Sequence, residues 1–192
     1  NLKDSKKKDS RFSYEGFKEV NIFIKIFYIF FSLIKIQPMQ LGYFFSPRIK
    51  EYVKNNYQHY DLIFFQSFRT AQYMPENIKK KCVLDMGDLM SKNYRQTSFQ
   101  YFFLNPIKII YFIESLLVKK YENFCFNKFN KILLLSKREI NSVEKKYKNK
   151  LAQISYGINK VFNKYKFHRK NNKIIFIGNI KYAPNKNACY EF

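Results

Sequence analysis

The sequence contains no tryptophan and only two histidines, five glycines, five prolines and three cysteines among its 192 residues. Cys82, Cys125 and Cys189 lie far apart, and with His59 and His168 they form none of the spacings that bind zinc. Because the cysteines are odd in number, they define no disulfide framework and favour a reducing compartment, in which each would be a small buried hydrophobic side chain. We therefore expect neither a metal site nor a bound cofactor.

Acidic residues are also scarce. Asp and Glu number 14 against 36 Lys and Arg, which gives a formal charge of +22 and a pI near 9.8. Such an excess reflects either an AT-rich coding sequence, which favours Lys at replaceable surface positions, or an anionic partner. The basic residues are spread along every predicted element and match no nucleic-acid signature, so an anionic membrane surface is the expected partner and nucleic acid is not.

No hydrophobic run is long enough to span a bilayer. Residues 22–36 are apolar except for Ser32 and the lysines Lys25 and Lys35, whereas a spanning helix needs about 20 apolar residues. This segment predicts either a helix buried on most faces, which we favour, or a helix in the headgroup plane with its lysines reaching toward water. Residues 107–118 form a similar stretch, and the first fifteen residues lack a signal-peptide core. We expect a cytoplasmic protein, peripheral to the inner face of the membrane.

Short apolar runs alternate with longer amphipathic ones, which predicts an α/β fold with a Rossmann-like parallel sheet and flanking helices. The predicted strands cover residues 60–65, 81–85, 131–135, 151–154 and 173–177, and the main helices residues 47–55, 106–126 and 137–147. Ser46 and Pro47 are typical of a helix start, and Ser136 with Glu139 forms a capping box. We expect one domain over residues 1–159, a basic linker over 160–172 and the start of a second domain over 173–192. Because the pattern stops in mid-domain, the chain is interpreted as a fragment.

Polar residues follow the first two predicted strands at their carboxyl ends, where α/β sheets bind ligands. Those after the second strand are Asp85, Asp88, Ser91, Tyr94 and Arg95, and those after the first are Arg69 and Tyr73. Asp85 or Asp88 would act as a general base toward a substrate hydroxyl, and Arg69 or Arg95 would steady a phosphate on the substrate. The alternative is a hydrogen-bonded turn in which the aspartate is already satisfied.

The segment at residues 173–188, KIIFIGNIKYAPNKNA, predicts a buried strand, a tight turn at Gly178 and Asn179, and a helix opened by Pro184 and Asn185. Gly178 would let the backbone approach a phosphate, and Asn179 would donate a side-chain N–H. The alternatives are that Gly178 only ends a buried strand and that Pro184 and Asn185 only cap the helix.

Four segments occur in the order seen in bacterial glycosyltransferases: LDMGD at 84–88, LSKRE at 135–139, YGIN at 156–159 and IGNIKYAPN at 177–185. From about Tyr60 to Phe192 the chain resembles the middle of a family 4 glycosyltransferase of the two-Rossmann-domain (GT-B) type, from the branch that makes surface polysaccharides. Tyr156 and Asn159 depart from the Asn and Asp usual at that turn, so we interpret the turn as structural. The paired glutamates that bind the donor in this family lie beyond the residues of this sequence.

The resemblance implies transfer, with retention, of a sugar from a nucleotide diphosphate sugar to a lipid-linked or glycan acceptor. It also implies that this piece alone is inactive. By this resemblance the donor phosphates would contact Gly178, Asn179, Tyr182 and Asn185. The acceptor would contact Arg69, Tyr73, Ser91, Tyr94 and Arg95, with Asp85 or Asp88 as the candidate catalytic base. The alternative from another class is a non-catalytic basic module that binds a membrane surface or nucleic acid.

Overall fold

A computed structural model describes residues 16–76, 78–102, 104–155, 157, 175–180 and 183–191. The chain divides into two compact units, Asn1–Tyr156 and Gly157–Phe192. Among the described residues, all of the buried hydrophobic side chains belong to the first unit.

The first unit is built on four parallel strands in the spatial order β1, β2, β3, β4. The strands are β1 (Ile63–Gln66), β2 (Cys82–Gly87), β3 (Lys131–Leu134) and β4 (Leu151–Gln153). The predicted α/β class with a Rossmann-like parallel sheet is confirmed. All strands point the same way, so the loops that follow them meet at one edge of the sheet.

One face of this sheet forms the core. Along one row of neighbouring positions Phe65 lies beside Leu84, Leu84 beside Ile132, and Ile132 beside Leu151, and all four side chains are buried. The opposite face is less covered, since Phe64 on that face is 52% exposed. Short apolar runs with alternating burial therefore fix which side of each strand faces inward.

Helices connect and cover the strands. Their bounds are α1 (Ile22–Ile34), α2 (Met39–Tyr43), α3 (Pro47–Asn56), α4 (Met90–Phe99), α5 (Pro106–Lys128) and α6 (Lys137–Ser142). The long α5 begins at a capped proline, with Asn105 Oδ1 accepting from the Ile107 N–H at 2.9 Å. Its buried positions recur at helical spacing, so one stripe of α5 lies in the core.

The expectation that α1 is a buried helix is wrong. Ser32 is its only buried residue, while Phe23, Phe27 and Phe30 are all more than 60% exposed. The helix packs on α2 through backbone, where a Cβ on Gly42 would lie 2.3 Å from the Tyr28 carbonyl oxygen. No helix within the described ranges is long and apolar enough to cross a membrane.

Other boundaries differ from the sequence predictions. The first strand begins at Ile63 instead of residue 60, and α6 ends at Ser142 because Val143 turns into an extended conformation and is buried. A 3₁₀ segment, Lys145–Lys150, follows. Cys82 and Cys125 are buried as expected, whereas Cys189 is exposed.

In the second unit, the helix predicted to open at Pro184 is confirmed as α7 (Ala183–Glu191). The buried strand predicted before it is not formed over residues 175–177. Those residues have no regular structure, and Ile175 and Ile177 are 84% and 93% exposed. The linker predicted at 160–172 and the turn at Ile158 and Asn159 lie outside the described residues.

Candidate functional site

The loop after β2 brings two carboxyl groups together. Asp88 is exposed just beyond the end of β2, and Glu139 lies in α6, which follows β3. Burial raises the pKa of the Glu139 carboxyl, and the charge of the nearby Asp88 raises it further. The Leu89 N–H and the Lys92 ammonium lower the pKa of Glu139. A carboxyl pair beside a lysine therefore stands at the carboxyl-terminal edge of the sheet.

The capping box predicted for α6 is only half formed. Ser136 caps α6 as expected, with its hydroxyl oxygen accepting from the Arg138 N–H at 3.1 Å. The Glu139 carboxylate does not return to its own helix. Its Oε1 accepts from the N–H of Leu89, fifty residues away, at 2.8 Å, while Oε2 is buried without a hydrogen-bond partner among the described residues.

Asp85 belongs to the strand end and not to the carboxyl pair. Its Oδ1 accepts from the Gly87 N–H at 3.1 Å, where the strand register is irregular and Gly87 has a φ of +68°. Only glycine adopts this conformation without strain. The side chain of Asp85 thus supports the turn that presents Asp88, as the hydrogen-bonded alternative anticipated.

Ser91 is buried inside the start of α4. Its N–H donates to Glu122 Oε1 at 3.0 Å and its hydroxyl donates to Glu122 Oε2 at 2.6 Å. Both polar groups of Ser91 are therefore engaged by α5, and the residue supports the helix start instead of facing a ligand. Since the N-cap position of α4 is Leu89, which offers no side-chain oxygen, Glu122 and Glu139 supply the acceptors that the helix start lacks.

Arg69, Gln40 and Tyr94 form a second polar group, which lies near the carboxyl end of β1. Arg69 Nε donates to Gln40 Oε1 at 2.7 Å, and Gln40 Nε2 donates to the Tyr94 hydroxyl oxygen. Burial raises the pKa of Tyr94, and the hydrogen bond and charge of Arg69 lower it. Two residues expected to bind the acceptor are thus brought into contact.

Glu114 holds this group in place from α5. Its Oε2 accepts from the Met39 N–H at 2.9 Å, and its Oε1 accepts from the backbone and side-chain N–H groups of Gln40, each at 3.3 Å. These bonds satisfy the first backbone N–H groups of α2, because its N-cap residue, Pro38, has no side-chain oxygen that could accept from them. The Arg69 guanidinium lies 4.6 Å from the centre of the Phe44 ring and makes no ion pair with a described carboxylate. Its charge is therefore not neutralised by a described carboxylate, which suits it to an anionic ligand.

Tyr73 and Arg95 do not join either group. The Tyr73 hydroxyl donates to the Phe44 carbonyl at 2.9 Å and accepts from the Ser46 N–H at 2.8 Å, so this buried side chain fixes the loop before α3. Burial raises the pKa of Tyr73 while the Ser46 N–H lowers it. Arg95 is exposed on α4.

The predicted donor-phosphate residues lie in the second unit. Asn185 Nδ2 donates to the Asn179 carbonyl oxygen at 3.1 Å, which ties the turn to the first residues of α7. A Cβ added to Gly178 would lie 2.8 Å from the Phe176 ring and 3.0 Å from Asn185 Nδ2. Gly178 therefore allows a compact turn, while Tyr182 lies outside the described residues.

Sequence reasoning missed Gln40, Lys92, Glu114 and Glu122, and it predicted the wrong partner for Glu139. A signal for two of them exists, since Glu114 and Glu122 are eight residues apart and flank Val118 on the apolar stripe of α5. A carboxylate on a core-facing stripe needs a donor, and here each finds backbone N–H groups at the start of another helix. Within the part of the chain that the structure describes, no cluster of three or more potential metal ligands is found.

Comparison of the chain with family models, with characterised proteins and with solved structures finds no match.

Proposed function

We propose that this chain is the acceptor-side part of a glycosyltransferase, which transfers a sugar from a nucleotide diphosphate sugar to a lipid-linked or glycan acceptor. The observation that carries the proposal is the Asp88 and Glu139 carboxyl pair at the carboxyl-terminal edge of a parallel sheet. The four motifs quoted above support it from the sequence.

In this proposal Asp88 accepts the proton from the acceptor hydroxyl as that oxygen attacks the anomeric carbon of the donor sugar. Asp88 is exposed and can reach a substrate, whereas Glu139 is anchored to the Leu89 N–H and positions the loop. Arg69, held by Gln40 and Tyr94, would pair with phosphate on a lipid-linked acceptor. The diphosphate leaving group would be stabilised by backbone N–H groups near Gly178 and Asn179.

The test is a sugar-transfer assay on the protein translated from the complete reading frame that contains this chain. Asp88→Asn is expected to lower kcat by about 100-fold, the usual size of a general-base contribution. Asp61→Asn is the matched control, because Asp61 is also exposed but precedes β1 at the opposite edge of the sheet, and it should leave kcat within about twofold.

Two results would count against the proposal in different ways. Full activity of Asp88→Asn would remove the general-base role but leave the transferase assignment. No transfer by the unsubstituted protein from any nucleotide sugar, to lipid-phosphate or glycan acceptors, would remove the assignment itself.

We further propose that the protein lies peripherally on the cytoplasmic face of an anionic membrane. Helix α1 supports this, since its phenylalanines and isoleucines face solvent while Lys25 and Lys35 lie over the Tyr43 and Phe31 rings at 4.8 and 4.3 Å. An apolar helix with lysines folded back on aromatic rings fits the boundary between headgroups and acyl chains.

A further inference from the structure

A cavity of about 290 Å³ lies between α1, α2, the start of α3 and the C-terminal half of α5. It has room for on the order of ten water molecules, which is enough for a small polar headgroup. Its lining includes lysines and aromatic rings but no Asp or Glu. It is separate from the carboxyl pair and from the Arg69 group, none of whose members line it.

Three lysines line this cavity, and the ammonium group of each lies over a phenylalanine ring that also lines it. Lys35 Nζ is 4.3 Å from the centre of the Phe31 ring, and Lys50 Nζ is 6.0 Å from that of Phe45. Lys128 Nζ is 5.4 Å from the centre of the Phe124 ring and donates one hydrogen bond, at 3.1 Å, to the Met74 carbonyl oxygen. No ion pair joins any of these lysines to a described carboxylate.

We propose that this cavity binds the phosphate of a membrane lipid, with Lys35, Lys50 and Lys128 as the cations that pair with it. The adjoining surface selects a lipid over a soluble anion, because Phe31 both lines the cavity and is 46% exposed beside Phe27, with which it stacks at 6.4 Å. A ligand that fills the cavity and covers this surface has an anionic head and an apolar tail. The inference rests on the proposed membrane association and assigns it a specific lipid site, independent of sugar transfer.

The test measures binding of the full chain to vesicles of phosphatidylcholine alone and with phosphatidic acid or phosphatidylglycerol. The double variant Lys35→Met and Lys50→Met is expected to bind phosphatidic acid vesicles at least about tenfold more weakly than the control. The control, Lys54→Met and Lys120→Met, removes two exposed lysines from α3 and α5 that do not line the cavity, so both proteins lose the same charge.

The remaining outcomes distinguish the proposed lipid site from the membrane association on which it rests. Equal loss in the Lys35/Lys50 and control variants would mean general electrostatic attraction and would overturn the site while leaving membrane association intact. Absence of binding to any vesicle would overturn both. Binding of inorganic phosphate or glycerol phosphate at the same affinity as phosphatidic acid, with the same loss in the Lys35/Lys50 variant, would overturn the lipid assignment in favour of a soluble anion.

Discussion

Glu122 shows how a scarce acidic residue is used in this basic chain. It is fully buried, and both carboxylate oxygens accept hydrogen bonds from Ser91 at the start of α4. Burial raises the pKa of Glu122, the two bonds from Ser91 and the Lys119 charge lower it, and Glu139 raises it. The partial positive charge of the helix start therefore takes the place of a buried cation.

The raised pKa of Glu122 predicts a pH-dependent stability. The folded chain binds this proton more tightly than the unfolded chain, so the free energy of unfolding falls as pH rises from about 4.5 through the folded-state pKa. Below this pH range Glu122 is protonated in both states, so the folded state does not have to bury a charged carboxylate. Glu122→Gln keeps an acceptor for the Ser91 N–H and should remove this part of the pH dependence.

Urea unfolding of the parent and of Glu122→Gln between pH 4 and pH 8 measures the effect. Glu144→Gln is the control, because Glu144 is exposed in a surface pair with Lys146 and should change the free energy of unfolding by about 0.5 kcal/mol or less. Glu122→Ala leaves the Ser91 N–H unpaired and should cost about 1–3 kcal/mol. An identical pH dependence in the parent and in Glu122→Gln would contradict the assignment.

At the scale of elements, the contact between α1 and α2 depends on one missing side chain. Gly42 brings α2 against the backbone of α1, with no space for a Cβ near the Tyr28 carbonyl group and the Ile29 nitrogen. These atoms all belong to the backbone, so the two helices have to separate if a side chain is added. Both helices also line the proposed lipid cavity.

Gly42→Ala is therefore expected to destabilise the chain by about 2 kcal/mol, even though alanine favours helix by about 1 kcal/mol over glycine. Gly16→Ala is the control, since a Cβ at Gly16 has nothing within 4 Å. Chemical denaturation measures both variants. If Gly42→Ala is as stable as the control, the close approach of the two helices is not needed for stability.

Local patterns were enough to predict much of the element order. The apolar runs of β2, β3 and β4 and the prolines at the starts of α3 and α5 each carry a local signal that the structure confirms. The partners of Glu114, Glu122 and Glu139 carry none, because those hydrogen bonds join residues 75, 31 and 50 positions apart. The strand expected at 173–177 had a strong apolar signal, but residues 175–177 pair with no described strand and stay exposed.

For the whole molecule, charge and exposed apolar surface act in the same direction. The formal charge of +22 attracts the chain to anionic lipid, and the exposed side chains of α1 offer area that a bilayer can cover. Electrostatic attraction alone would fade at high salt, whereas insertion of apolar side chains would persist. The two contributions can be separated by experiment.

Flotation with vesicles of mixed phosphatidylcholine and phosphatidylglycerol provides that separation. Phe23→Ser with Phe27→Ser should lower partitioning at 0.5 M salt by at least about tenfold, since each buried phenylalanine contributes roughly 1.5–3 kcal/mol. The control, Phe64→Ser with Phe176→Ser, changes two exposed phenylalanines outside α1 and should have little effect. Equal behaviour of the two double variants would exclude α1 as the inserting element.

The glutamates of α5 also bear on the order in which the chain folds. The five residues of α2 are too few to be helical in isolation, and the ten of α4 are marginal. Each helix therefore becomes stable only when a carboxylate of α5 accepts hydrogen bonds from its first backbone N–H groups. Unfolding of α5 would release both helix starts together, which couples the N-terminal helices to the sheet in one cooperative transition. We therefore expect α2 and α4 to consolidate late, after the folding barrier, so that substitutions at Glu114 or Glu122 mainly accelerate unfolding and leave the refolding rate nearly unchanged.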